Sequence, residues 1–226
     1  MSQFLRLELD SHFKQPSGAM SGFKKENSRK IIGNCWNFNK VNGIMNTFLE
    51  LVKSRQSDRK YDETRAVEQE KLDYILEAAC LAPSACNAQP WSFIVVNDME
   101  LKQKTALAIS DKALGMNHFA NQAPVQIIIL EESANFTSKA GSFIKRKHFP
   151  LLDIGIVTAH LTLAATEQGL GTCIVGWFDE KKIRNILNIP SSKRPLLIIT
   201  LGYSRDALRE KKRKAMKDIV SYNTYK

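Results

Sequence analysis

Two hydrophobic periods alternate along the chain from residue 45 onward. Between Glu68 and Leu81 the apolar positions Leu72, Ile75, Leu76 and Ala79 recur at helical spacing. Pro83 stops that helix, because proline has no amide hydrogen to give it. Met45 to Ser54 reads as an earlier, shorter helix with Phe48, Leu51 and Val52 on one side, and Met99 to Ile109 as a later one. Leu151 to Gln168 is the longest, carrying Ile154, Val157, Leu161 and Ala165 on one stripe and closed by Gly169 and Gly171. Asp179 caps a further helix to Leu187, with Pro190 ending the connection. The second pattern is the short continuous apolar run. Ser92 to Val96, Val125 to Leu130, Thr172 to Val175 and Leu196 to Tyr203 are such runs, too short for helices and set off by Pro, Gly or Asp. They predict strands buried on both faces, and so helices covering both sides of one sheet. A last strand or arm is expected at Ile219 to Tyr222.

Residues 1–44 break the pattern. Their apolar residues keep no sustained period and Gly, Ser, Asn and Lys are frequent, which predicts a poorly ordered extension ahead of a folded unit at 45–226. Two readings stay open for it: a genuine flexible tail, or an upstream extension of a protein that functionally begins at Met45.

Charge changes the picture less than its total suggests. The net charge is +10, but residues 1–44 contribute +4 and residues 203–226 contribute +5, leaving about +1 for the body. Basic residues sit in two terminal segments, not on a patterned face, and no nucleic-acid motif accompanies them, so nucleic acid is not the expected partner. No uninterrupted apolar run reaches the ~20 residues a bilayer span requires, and no secretory leader is evident at the N-terminus. Four cysteines (Cys35, Cys80, Cys86, Cys173) without CxxC spacing argue against a zinc site or disulfide framework, and point to a reducing, cytoplasmic setting. The four histidines (His12, His118, His148, His160) also lack metal spacing.

Three segments carry candidate chemistry. Arg55, Ser57 and Arg59 stand at alternate positions, so an extended backbone points them the same way. Two guanidinium forks and a hydroxyl then form a phosphate clamp, although a solvated basic turn has the same composition. The loop Pro83-Ser84-Ala85-Cys86-Asn87-Ala88-Gln89-Pro90-Trp91 is stiffened by two prolines and offers Ser84, Asn87 and Gln89 to the polar edge of a ligand, or to its own turns. Gly169-Leu170-Gly171-Thr172 and Val175-Gly176-Trp177-Phe178 allow backbone to approach a flat ligand closely, or simply serve a helix cap and a strand-end turn. Neither GxGxxG nor GxxxxGK[ST] occurs in the context those motifs require. Cys86 lies in the ligand-like loop and is conceivable as a reactive thiol; most free cysteines are inert small hydrophobes.

Taken in order, these pieces resemble the FMN-dependent nitroreductase family. The matching segments are Arg55-Gln56-Ser57-Asp58-Arg59-Lys60-Tyr61, the Ala82–Trp91 loop ending in Asn-x-Gln-Pro-Trp, Gly169-Leu170-Gly171-Thr172 running into Ile174-Val175-Gly176-Trp177-Phe178-Asp179, and Leu201-Gly202-Tyr203 followed by Lys211-Lys212-Arg213. The resemblance covers about Met45 to the C-terminus. It implies an α+β fold with a central mixed, mostly antiparallel sheet flanked by helices, assembled as a homodimer with FMN at the interface. Arg55, Ser57 and Arg213 would hold the flavin phosphate, with Lys211 nearby and Gln56 in the position of a second arginine common in the family. Pro83, Ser84, Ala85 and Asn87 would reach the flavin from the other subunit. Val175 and Gly176 would line the ring, and Arg59 would sit near its pyrimidine end and stabilise the reduced form. No metal is implied.

The implied activity is ping-pong hydride transfer from NADH or NADPH through FMN to a nitroaromatic, a quinone or another electron-poor small molecule. Alternatives are a specialised flavin reductase of the same fold, of dehalogenase or enoate reductase type, or a non-enzymatic flavin- or nucleic-acid-binding protein. The stretch from Asp111 to Pro150, where family members elaborate substrate-covering helices, is short here.

Overall fold

The computed structural model describes residues 48–111, 114–132 and 148–225. The expectations for residues 1–44, for the first turn of the Met45 helix and for residues 112–113 and 133–147 lie outside these residues.

Helix α1 (Phe48–Ser54) and helix α2 (Gln69–Cys80) precede a 3₁₀ turn at Ala85–Asn87 and strand β1 (Trp91–Val96). Helix α3 (Met99–Ile109), a 3₁₀ turn at His118–Asn121 and strand β2 (Val125–Glu131) follow. Helix α4 (Phe149–Glu167), strand β3 (Gly171–Val175), helix α5 (Glu180–Ile186), strand β4 (Arg194–Gly202) and a single helical turn α6 (Met216–Ile219) complete the chain. The expected elements therefore form within one or two residues of their predicted ends. The exception is Ile219 to Tyr222, where no strand forms: Ile219 ends α6 and the residues beyond it are irregular. A strand needs a partner edge, and the described residues offer none there.

The local reasons are ordinary side-chain chemistry. Asp98 and Asp179 cap α3 and α5 by accepting from the Leu101 and Lys182 amides, each at 2.9 Å. Pro150 opens α4, where its missing amide hydrogen costs nothing, and Gly169 lies just past the helix end at φ +74°.

The four strands pair in the order β1-β2-β4-β3, every neighbour antiparallel. A single parallel element is added at the β3 edge, where Ser57 bridges Thr172. Strand β2 is central, and six of its seven residues are buried. The sheet has a core on each face. On one, α2 and α4 pack Leu72, Ile75, Ile154, Val157 and Leu161 against Val125, Ile127, Ile129, Ile199 and Leu201. On the other, α3 and α5 pack Ala106, Ile109 and Ile183 against Ile128, Leu130, Val175 and Ile198. The alternation of Ile127, Ile128 and Ile129 between the two clusters is the two-residue period of a strand seen from both sides.

Cover is incomplete in one region. Helix α4 has a mean hydropathy of 1.4 over a helix 19 residues long, enough by length and composition to cross a membrane, yet half of it is buried inside the fold. Scattered Thr and Gly interrupt its apolar run without lowering the average much. Its remaining face exposes Leu151, Leu152 and Ile156, beside Phe48, Leu49 and Val52 of α1 and Ile174 of β3.

Candidate functional site

Residues 55–61 run extended along the β3 edge. The Asp58 amide donates to the Thr172 carbonyl at 2.9 Å, and the Thr172 amide donates back to Asp58 Oδ2 at 3.2 Å. Tyr61 anchors the far end. Its hydroxyl is buried, donates to the Asp58 carbonyl at 2.9 Å and shares a proton contact with Thr200 Oγ1 at 2.8 Å. Burial raises the Tyr61 pKa far above that of a free phenol, so the hydroxyl stays neutral. Gly171 makes this approach possible: a Cβ there would stand 2.7 Å from Ser204 Cβ and 2.8 Å from Asp58 Oδ2.

Burial pushes the Cys173 thiol up, and the groups opposing that push are the charges of Arg59 and Arg55 and a hydrogen bond from Ser57. Arg55, Ser57 and Arg59 thus lie near Cys173 in β3, as does the Asp58 carboxylate, whose charge adds to the upward push. The C-terminal segment joins them. Lys211 Nζ donates to the Arg55 carbonyl, and Arg209 donates to the Ser57 carbonyl. Burial lowers the Lys211 pKa, and the nearby charges of Arg55 and Arg213 lower it further. Arg213 itself bonds only locally, to the Lys212 carbonyl at 2.8 Å.

This corner holds cations that repel one another. Nη1 of Arg55 is buried and has no hydrogen-bond partner. A buried guanidinium nitrogen left without an acceptor costs roughly 1–3 kcal/mol, and more because it is charged. A phosphate would relieve both the orphaned donor and the repulsion, so these residues fit the phosphate of FMN.

Beside Arg55 lies a cavity of about 460 Å³ lined by Val52, Gly155, Thr158, Ala159, Thr162, Leu163, Ile174 and Leu197. Its walls are small or apolar and its one fixed charge is Arg55, the character of a site for a flat ring with an anionic tail. The Thr158 and Thr162 hydroxyls donate to carbonyls one turn back, at 2.7 Å and 2.9 Å, and so present their methyl sides. Val175 is buried at the end of β3, followed by exposed Gly176 and Trp177. A Cβ on Gly176 would meet Leu197 Cδ2 only at 3.7 Å, so nothing inside this chain demands glycine there.

The proline-bounded loop is placed elsewhere. Neither Pro83, Ser84, Ala85 nor Asn87 lines the cavity beside Arg55. The loop is held in an unusual backbone path, with Cys86 at φ 52°, Asn87 at φ 50° and Gln89 at φ 44°. Ser84 Oγ accepts from the Gln89 amide at 2.9 Å, so part of its polarity is spent within the turn. Asp153 of α4 fixes the loop from beneath, accepting from the Ala85 amide at 3.0 Å. That carboxylate is buried, and its other oxygen has no partner.

Gln56 is bonded within the chain. Its carboxamide is committed to Asp58, Ala207 and Arg209 and does not face the cavity. Sequence reasoning missed Asp58, Arg209 and Asp153 as members of this arrangement. Asp58 had a signal, a lone carboxylate inside a basic run; Arg209 and Asp153 had none. Among the described residues no group of His, Cys, Asp and Glu is arranged to hold a metal.

The α+β sheet edge thus carries a basic corner, with Asp58 within it, beside an apolar cavity. The sequence profile of the nitroreductase family matches residues 52–203, and the chain belongs to that family. A protein of Methanothermobacter thermautotrophicus, provisionally named NADH dehydrogenase/NAD(P)H nitroreductase, is 35% identical over 159 residues, covering 69% of this chain and 76% of its own. The solved structure of an FMN-dependent nitroreductase from Clostridium difficile superposes with a TM-score of 0.60 at 32% identity, covering 78% of this chain and 99% of that one. An iodotyrosine deiodinase from Thermotoga neapolitana is 26% identical over 201 residues, covering 80% of this chain and all of its own.

Proposed function

We propose that the protein is an FMN-dependent NAD(P)H oxidoreductase that reduces small electron-poor molecules such as nitroaromatics or quinones. The observation that carries this reading is the buried, partnerless Nη1 of Arg55 at a corner shared with Lys211 and Arg213, in a chain of the nitroreductase family. Arg55, Lys211, Arg213 and the Ser57 hydroxyl bind the phosphate. Arg59 supplies a fixed positive charge near the ring's pyrimidine end, and Val175 and Gly176 line the ring. When bound, FMN supplies the group that takes hydride from NADH or NADPH and passes it to the acceptor in a ping-pong cycle. The chain's own contribution is to bind, orient and exclude water; no protein nucleophile is required.

The working unit is a homodimer. Two observations support it: the exposed apolar faces of α1, α4 and β3 surround the basic corner, and the Pro83–Asn87 loop does not reach the cavity within its own chain. The loop of the second subunit, with Asn87 as its polar reader, then closes the site. The scattered cysteine pattern supports a cytoplasmic, reducing location, with neither membrane nor nucleic acid as partner. A second reading within the same fold is reductive dehalogenation, favoured by the similarity to the deiodinase over that enzyme's whole length.

The test is the visible spectrum of the purified protein before and after anaerobic addition of NADH or NADPH. Flavin bands that bleach with one donor establish the reductase and identify its donor. Reoxidation by a quinone, a nitroarene or a halophenol then separates the two readings. A colourless protein that takes up no added FMN overturns both.

A further inference from the structure

We propose that Gln56 is a positioning residue: its carboxamide, backed by Asp58, docks the backbone of residues 207–209 and thereby holds Lys211 and Arg213 at the phosphate corner. The proposal rests on the FMN reading for its consequence, but not for its geometry.

Residues 203–205 are held by an antiparallel bridge between Ser204 and Tyr61, but from there to the start of α6 at Met216 the chain forms neither helix, strand nor bridge. This segment nevertheless carries the cations of the site, so something other than secondary structure must fix it. Gln56 does so in the manner of a neighbouring strand. Its Nε2 donates to the Ala207 carbonyl at 3.1 Å, and its Oε1 accepts from the Arg209 amide at 3.0 Å. The carbonyl of one residue and the amide of the residue two further along point to the same side of an extended chain, and a ladder partner normally satisfies both. A single primary amide matches that pair, since it carries a donor and an acceptor side by side. The second Nε2 hydrogen goes to Asp58 Oδ1 at 2.9 Å, which fixes the carboxamide's orientation. Asp58 is itself held by the Thr172 amide and by Ser204 Oγ at 2.7 Å.

The bonds on either side give the docking its consequence. Asp206 Oδ2 accepts from the Arg59 amide at 2.6 Å, Arg209 reaches the Ser57 carbonyl, and Lys211 reaches the Arg55 carbonyl. The segment therefore runs beside residues 55–59, with Gln56 at the middle contact. Repulsion among Arg55, Lys211 and Arg213 works to open this arrangement while no anion is present. Docking by Gln56 opposes that opening and so preorganises the corner for a phosphate. Arginine at this position could not substitute, because a guanidinium has no acceptor for the Arg209 amide; glutamate could not, because it has no donor for Ala207 and would face Asp58.

Two readouts test this on the full-length chain. The first is hydrogen exchange at the Arg209 amide in flavin-free protein, wild type against Gln56→Ala and Gln56→Glu. The expected result is slow exchange in wild type and exchange at least about tenfold faster in both variants. The second is affinity for FMN against riboflavin, which lacks the phosphate. Gln56→Ala is expected to weaken FMN about tenfold and riboflavin less than about twofold. Unchanged exchange at Arg209 overturns the docking role, and equal weakening of both flavins overturns its link to the phosphate. If wild type binds neither flavin, the FMN reading fails, and the exchange comparison judges the docking by itself.

Discussion

Replacing Asp58 with alanine removes one acceptor group from three donors, and the structure indicates which loss matters. Ser204 is exposed, so water takes over its bond. Gln56 Nε2 keeps the Ala207 carbonyl and loses one bond of about 1 kcal/mol. Thr172 is buried in β3, and its amide loses its carboxylate partner where water cannot follow. An unsatisfied buried donor costs about 1–3 kcal/mol. Relief of the carboxylate's own burial works in the other direction, but removing one member of a buried charged contact is on balance destabilising. The expected loss is about 3 kcal/mol. At about 2–4 °C per kcal/mol for a domain of this size, Tm falls by about 6–12 °C. Urea unfolding followed by circular dichroism measures it, with an unchanged m-value confirming that the unfolded state is not the cause. Asp58→Asn should be nearly as unstable, since its amide keeps one acceptor oxygen but turns a donor toward the Thr172 or Ser204 donor. A loss below about 1 kcal/mol for alanine, or full stability for asparagine, would refute the reasoning that the 55–61 segment is pinned to β3 through this carboxylate.

Other outcomes follow from single observations. Arg55→Ala should weaken FMN binding about 10- to 100-fold, the equivalent of one charge-assisted bond of about 1.5–3 kcal/mol, read as flavin retained through gel filtration; undiminished retention would move the phosphate away from this corner. Asp153→Ala frees the Ala85 amide, and the left-handed backbone at Cys86 and Asn87 then has less to hold it; proteolysis within 84–89 should accelerate several-fold at little cost in secondary structure. Tyr61 keeps its proton when folded, whereas the unfolded chain releases it near pH 10.0, so above that pH the folded state loses ground by up to about 1.4 kcal/mol per pH unit and below it nothing changes. Tyr61→Phe should therefore flatten the fall in stability between about pH 9 and pH 11; an identical slope in the variant would show that other groups cause it.

Much of this protein could be read from its order of residues, for a definable reason. Apolar periodicity reports which faces are buried, and burial dominates folding energetics. Hence Leu72, Ile75 and Ala79 marked α2, Ile154, Val157, Leu161 and Ala165 marked α4, and the isoleucine runs marked β2 and β4 before any pairing was known. Capping is equally local, so Asp179 announced α5. The family, too, was legible from four short segments in order. Tertiary structure decided what depends on partners distant in sequence. Nothing local distinguishes Gln56 facing a ligand from Gln56 bonded to residues 207 and 209, about 150 positions away. Nor does a lone Asp153 in an apolar helix disclose that it holds the Ala85 amide, or Arg209 that it reaches Ser57. Ile219 to Tyr222 has the composition of a strand and forms none, because a strand is completed by its neighbour's hydrogen bonds and not by its own residues.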